Sequence, residues 1–231
     1  GTDHRGELDE PITLTRLDFE TPFGQLRTDV ALVEHLEATC GGSVVANELA
    51  HAGEHSLEFQ AVMLHHVLGP RAAKARILPV LCGPMGGRSD VPDPRRPGQI
   101  AAFLEQLAEA VQGRHVCFIA GADLAHLGPT FQTDPLDDDD RQRLADRDRV
   151  TLAHLTDGAA ASFDADVLDD ENARQICSHT ALHSLLRLVP DRRGELLGYR
   201  QCPAPEEPSD GSWVTIAALS YPAPSDPPDR D

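Results

Sequence analysis

Two short apolar runs bounded by turn residues are the features that most constrain the fold of this chain. Residues 77–82 read ILPVLC and residues 115–121 read HVCFIAG, and helical apolar spacing is found on either side of them. Such runs are typical of buried strands, and strands that alternate with helices indicate a sheet covered by helices. We therefore expect one α/β domain over residues 1–221, with a mixed sheet and flanking helices, followed by a disordered tail at 222–231.

The other elements follow from periodicity and from stop signals. Alternation and β-branched content predict strands at 12–19, 43–46 and 213–221. Apolar residues at helical spacing, ended by Gly or Pro, predict helices at 30–40, 54–68, 99–111, 141–155 and 171–188. Aromatic residues are only 4% of the chain while hydrophobic residues reach 40%, so the core must consist mainly of Ala, Leu and Val. The acidic run 137–140 is interpreted as a solvated helix start rather than a cation site.

The charge balance excludes some classes of partner. Asp and Glu number 38 against 20 Lys and Arg, which gives a formal net charge of −18. A surface of this sign repels phosphate backbones and anionic lipids, so we expect neither a nucleic-acid partner nor a membrane partner. Five cysteines without framework spacing, and no apolar run long enough to span a bilayer, favour a cytoplasmic protein.

A carboxylate and an imidazole follow the second apolar run. Asp123 and His126 lie in the segment GADLAHLG, where the carboxyl end of a strand would present them at a sheet edge. An Asp can fix the tautomer of a neighbouring His for proton transfer or metal binding. The alternative is a structural pair that closes a turn.

The segment HAGEH matches the H-x-x-E-H pattern of one class of zinc metallopeptidases, with His51, Glu54 and His55 as the matching residues. That pattern requires a continuous helix, and Gly53 interrupts it. We therefore keep a zinc peptidase only as a remote alternative and expect Glu54 and His55 to begin a helix, on which His55 and Glu58 lie one turn apart.

Seven segments carry recognisable motifs, in chain order: GTDH (1–4), DFETPFGQLRTD (18–29), EHSLEFQ (54–60), ILPVLCG (77–83), GADLAHLG (121–128), RQICSHTAL (174–182) and WVTIAALSY (213–221). Taken together they resemble the MEMO-like family, known in bacteria as AmmeMemoRadiSam system protein B. This resemblance implies a fold shared with class III extradiol dioxygenases and a metal-type pocket.

The resemblance also implies roles for individual residues. By this resemblance, His4 and Cys177 correspond to metal ligands, and His126 and Asp123 correspond to the catalytic pair. His55 and Glu58 correspond to residues of the pocket wall. Without it, Cys177 reads as a small buried hydrophobe on a helix. The segment GTDH resembles the end of the family's LGPNH strand. A further family ligand, a His that precedes that strand, has no counterpart here, so we expect the domain to lack its first strand and helix. The family's ICG is ICS in this chain, with Ser178 in place of glycine, and its SSD is GAD.

A thiolate in place of the dioxygenase carboxylate changes the expected chemistry. Thiolates favour copper(I), redox-active iron or zinc, so we expect iron(II) or copper(I), with zinc as a further option, and we do not expect ring cleavage. The first hypothesis is a metal-dependent redox or dioxygenase-like enzyme that acts on a small molecule beside radical-SAM and AMMECR-type partner proteins. The alternative is a non-catalytic metal-binding or adaptor protein on the same fold.

Overall fold

A computed structural model describes residues 1–6, 8–87, 93–204 and 208–222. The chain divides into two units, of which the first comprises residues Gly1–Ala122 and Cys177–Leu188 and the second comprises Asp123–Ile176 and Val189–Asp231. The predicted tail lies outside the described residues from position 223 onward. Within the described ranges, no helix is both long enough and apolar enough to cross a bilayer.

The mixture of helices and strands confirms the predicted mixed α/β class. The strands are β1 Ile12–Leu14, β2 Phe19–Thr21, β3 Gly24–Leu26, β4 Val80–Cys82, β5 His126–Leu127, β6 Glu195–Pro203 and β7 Trp213–Ser220. The α-helices are α1 Val30–Cys40, α2 His55–Leu68, α3 Arg96–Ala110, α4 Asp138–Thr156, α5 Ala160–Asp169 and α6 His179–Leu188.

The first unit contains small two-stranded sheets packed against helices. Strand β1 pairs antiparallel with β4, and β2 forms an antiparallel hairpin with β3. Its main apolar cluster is built from one face each of β1, α1 and α3, including Leu36, Ile100 and Phe103. Asp29 caps α1 by accepting a hydrogen bond from the backbone N–H of Leu32, so the predicted start of this helix is confirmed.

The strand predicted over 12–19 forms two separate strands, β1 and β2, and two other strand predictions in this unit are wrong. Residues 43–46 were expected to form a strand, but Gly42–Val45 form a 3-10 turn whose Val44 side chain packs into the apolar cluster. Residues 115–121 were expected to form a buried strand, but no strand is assigned there. Strand propensity is realised only against a neighbouring strand, and neither segment has one among the described residues.

The segment 115–120 is instead a largely exposed segment without strand structure. Val116 and Ile119 are exposed, and the backbone of the segment makes no hydrogen bond to any other described segment. A cavity of about 490 Å³ lies beside it, lined by apolar side chains that include Val80, Phe103 and Phe118.

The second unit is organised around a three-stranded antiparallel sheet in the order β5, β7, β6. Its strand β7 was predicted, whereas β6 and α5 were not. The largest buried side chain in the unit is that of Phe163 on α5.

A buried ionic cluster links the helices of the second unit. Arg174 donates hydrogen bonds to Asp148 at 3.3 Å, to Asp166 at 2.9 Å and to the hydroxyl of Thr151 at 2.7 Å. Asp148 is 0% exposed and Arg174 is 5% exposed. Because each buried carboxylate has a cationic partner, the cluster avoids the penalty of an uncompensated buried charge.

The single helix predicted over 171–188 is wrong. Glu171, Asn172 and Gln175 all adopt positive φ, which an α-helix does not allow. Asn172 accepts a hydrogen bond from the backbone N–H of Ile176, which holds this irregular turn. Helix α6 begins only at His179, so Cys177 precedes the helix instead of lying on its face.

Candidate metal centre

His4 lies at the end of an extended segment anchored on both sides. Thr2 forms a parallel β-bridge with Cys82. In this bridge the N–H of Asp3 donates a hydrogen bond to the Cys82 carbonyl at 2.9 Å. Ser56, on α2, accepts a hydrogen bond from Thr2 N–H at 3.0 Å and donates one to the Thr2 carbonyl at 3.2 Å. These contacts fix the backbone just before His4 and place its side chain near the start of α2.

Two side chains at the start of α2 contact the His4 ring. Glu54 occupies the N-cap position, and its Oε2 lies 3.1 Å from His4 Nδ1. The His55 ring stacks beside that of His4, with 4.3 Å between centroids. Glu54 is 1% exposed while the His4 side chain is 25% exposed, so the ring contacts a buried carboxylate and is itself partly accessible.

Cys177 reaches the opposite nitrogen of the same ring. Its Sγ lies 3.5 Å from His4 Nε2, although the two residues are 173 positions apart in the sequence. The thiol is not in a disulfide and is partly buried. The fold therefore brings together the two residues that the family resemblance assigns as metal ligands.

The separation of these two atoms fits a shared metal ion. Typical metal–nitrogen and metal–thiolate bonds at the tetrahedral angle place N and S about 3.5 Å apart, whereas a linear arrangement would need about 4.3 Å. The observed 3.5 Å matches the first value. A second set of donor atoms, from His4, Glu54 and His55, lies within 4.8 Å of one another.

The pocket-wall assignment is only partly reflected in these contacts. His55 packs against His4, but Glu58 is exposed one turn further along α2. The carboxylate that reaches His4 is that of Glu54, which sequence reasoning had considered only as a peptidase residue or helix start. No sequence signal singles out its inward-facing side chain, because whether Glu54 faces inward depends on where α2 begins.

The peptidase pattern does not lie on one helix. His51 ends a short 3-10 turn, Gly53 has a φ of 85°, and α2 begins at His55. His51 and His55 are therefore not on the same face of a continuous helix, which the zinc peptidase pattern requires.

The second unit holds Asp123 and His126. Nε2 of His126 lies 3.2 Å from Asp123 Oδ2, while Nδ1 lies 3.1 Å from the carbonyl oxygen of Leu124. Both ring nitrogens thus face acceptors, an arrangement satisfied only when both carry a proton. Burial opposes protonation, but the hydrogen bond and charge of Asp123 outweigh it and raise the pKa of His126 above its ordinary value of 6.5. The pair is suited to donate a proton near neutral pH.

Local structure explains how this pair is held. The N–H of Ala125 donates to the hydroxyl of Thr215 on β7 at 2.9 Å, and His126 N–H donates to the Arg174 carbonyl at 2.9 Å. The ring of Phe131 contacts the imidazole edge to face, with 5.1 Å between centroids. His126 was predicted in a loop and lies instead in the two-residue strand β5.

Comparison with known proteins gives matches to one protein family. The family model described as "Memo-like protein" matches residues 1–220. A MEMO1 family protein of Thermus thermophilus is 28% identical over 203 residues, which cover 87% of this chain and 55% of that protein. One from Aquifex aeolicus is 25% identical over 193 residues, covering 82% and 46%, and one from Methanococcoides burtonii is 30% identical over 139 residues, covering 59% and 46%. The chain spans about half the length of these curated relatives.

Proposed function

Because this chain belongs to the Memo-like protein family, we propose that it binds a transition metal through His4 Nε2 and Cys177 Sγ and uses it in a redox or oxidative role. The observation that supports the proposal is the 3.5 Å separation of these two atoms. Two donors 173 positions apart meet at the spacing expected for two ligands of one tetrahedral ion.

The donor set favours particular metals. A thiolate with an imidazole is softer than the two imidazoles and one carboxylate of an extradiol dioxygenase, and it suits copper(I), iron or zinc better than magnesium or calcium. When bound, an iron or copper ion would supply one-electron chemistry at this position. We therefore infer iron(II) or copper(I) as the physiological metal, with zinc as a third candidate.

The remaining contacts of the pocket organise the ligands. The Thr2 and Ser56 hydrogen bonds hold the backbone that carries His4, and the His55 ring covers one face of the imidazole. Because the His4 side chain is partly exposed, the site has room for a further ligand. These features support a site that binds metal and still admits a small molecule.

The Asp123 and His126 pair supports an enzymatic role over a purely binding role. A histidine whose two nitrogens both face acceptors is favoured in its protonated form and can act as a general acid. We propose His126 as a general acid and Asp123 as the residue that orients its ring and favours its protonated form. We propose no substrate beyond a small molecule. Radical-SAM and AMMECR-type proteins remain its predicted partners.

Metal titration tests the site directly. The metal-free protein is titrated anaerobically with Fe(II), Cu(I) and Zn(II), and the bound metal is measured after gel filtration for the wild type, His4→Ala and Cys177→Ala. We expect one ion per chain in the wild type and a loss of at least tenfold in affinity in each variant. Titration with Co(II) should also give a thiolate charge-transfer band that Cys177→Ala abolishes.

Matched controls separate this site from adventitious binding. Cys117→Ala removes an exposed thiol and His66→Ala an exposed imidazole, and both should bind metal like the wild type. If His4→Ala and Cys177→Ala retain the wild-type affinity, the proposed site is wrong. Oxygen consumption by the iron-loaded protein would favour the enzyme, whereas tight copper binding without turnover would favour the non-catalytic adaptor.

A further inference from the structure

Glu54 is a buried carboxylate whose two oxygens have different surroundings. Its Oε2 lies 3.1 Å from His4 Nδ1, and its Oε1 is buried without a hydrogen-bond partner among the described residues. A carboxylate that is 1% exposed is costly to bury unless its charge meets a donor. The His4 ring is the donor that this geometry provides.

The backbone around Glu54 leaves its side chain little freedom. Its N–H donates to the His51 carbonyl at 3.3 Å, and its carbonyl accepts from Leu57 and Glu58 at 3.1 and 3.0 Å. Glu54 occupies the N-cap position of the 14-residue helix α2, and its side chain makes no capping hydrogen bond there. The carboxylate is therefore held at a fixed place beside His4.

An ionised carboxylate can only accept hydrogen bonds, so it determines which nitrogen of a neutral His4 carries the proton. A proton on Nδ1 satisfies Glu54 and leaves the lone pair on Nε2. The thiol of Cys177 lies 3.5 Å from that same Nε2. The opposite tautomer would place the Nδ1 lone pair against the carboxylate and leave Nε2 unable to bind an ion.

We propose that Glu54 is a positioning residue that fixes His4 as the Nδ1–H tautomer and so presents Nε2 to the metal shared with Cys177. This inference rests on the proposed metal-binding function. The proposal also favours the pair His4 and Cys177 over the donor set of His4, Glu54 and His55. If Glu54 holds the Nδ1–H of His4, that nitrogen is not available to an ion placed between Glu54 and His55.

Two measurements on the full chain test the proposal separately from metal function. Long-range ¹H–¹⁵N NMR of the metal-free protein, at a pH where imidazoles are neutral, reports which His4 nitrogen is protonated. The wild type should give the Nδ1–H pattern and Glu54→Gln a mixture, because an amide can either donate or accept. In addition, Glu54→Gln should weaken Zn(II) binding about 10- to 100-fold.

The chain offers a matched control four residues along the same helix. Glu58→Gln removes an exposed carboxylate, and both its His4 tautomer and its Zn(II) affinity should equal those of the wild type. Glu54→Asp keeps the charge and serves if Glu54→Gln does not fold; it should retain the Nδ1–H tautomer.

Each outcome is decisive. An Nε2–H tautomer in the wild type overturns the role of Glu54 whether or not metal binds, and so does an unchanged Zn(II) affinity in folded Glu54→Gln. A loss of metal in His55→Ala equal to that in Cys177→Ala also overturns it, in favour of the other donor set. A wild type that has the Nδ1–H tautomer but binds no metal supports the tautomer role and refutes the proposed function.

Discussion

His51 should make the stability of this protein fall steeply in mild acid. The side chain is 3% exposed, and its Nδ1 lies 3.1 Å from the Glu48 carbonyl oxygen. Burial lowers the pKa of His51 from 6.5 to about 4, although the carbonyl groups of Glu48 and Pro79 favour the protonated ring. The native protein therefore holds this histidine neutral over most of the acidic range.

The sign and size of the effect follow from proton linkage. Between pH 6.5 and 4 the unfolded chain binds a proton at His51 and the folded chain does not, so the stabilisation is complete above pH 6.5 and declines as pH falls towards 4. A shift of this size corresponds to about 3 kcal/mol, of which about 2 kcal/mol is lost by roughly pH 5. Such a loss is a large fraction of the roughly 5–15 kcal/mol that typically stabilises a folded protein.

Urea unfolding followed by far-UV circular dichroism measures this loss. The wild type and His51→Leu are compared at about pH 7.5 and about pH 5, so that the titration of all other groups cancels in the difference. The wild type should lose about 2 kcal/mol more than the variant. Exposed His66→Leu is the control and should follow the wild type. Equal losses in the wild type and His51→Leu would refute the reasoning.

Two further predictions concern the second unit. Arg174→Met leaves Asp148 buried without its cation and should lower the free energy of unfolding by about 3–5 kcal/mol, measured by urea unfolding at neutral pH. Asp123→Asn removes the charge that raises the pKa of His126, so an NMR titration of the ring should show a lower pKa than in the wild type. Because the folded-state pKa is raised, the pair stabilises the protein below about pH 6.5 and loses this effect as pH rises through the folded-state pKa.

Both predictions have clear contrary results. Arg149 lies on the same helix as Asp148 but is exposed, so Arg149→Met should change stability by less than about 0.5 kcal/mol. An Arg174→Met protein as stable as Arg149→Met would show that the buried cluster contributes nothing. An unchanged His126 titration in Asp123→Asn would show that another group sets that pKa.

The helices were predictable where one local signal determined both position and end. Apolar spacing and the glycines at 41 and 69 located α1 and α2 well. The strands were less predictable because a strand depends on its neighbours. The apolar run at 115–121 found no partner, while the mostly exposed β6, with Gly198 in its middle, forms by pairing with β7.

The proximity of the two candidate ligands was predictable, and the residues around them were less so. The family resemblance pointed to His4 and Cys177, and the fold places their side chains in contact. It pointed to Glu58 as a wall residue, whereas Glu54 contacts the ring. Whether a carboxylate faces inward depends on where α2 begins, and a shift of one residue rotates every side chain by about 100°.

The exposed segment at 115–120 has a consequence for handling the protein. An exposed apolar segment whose backbone bonds to no other described segment is a template on which another chain can add a strand, and ordinary edge strands carry charges or prolines that block such growth. Between His115 and Gly121 this segment has neither. Purified material should therefore self-associate as concentration rises, in spite of a net charge of −18. A lysine in place of Ile119 would be the smallest change that keeps it in solution.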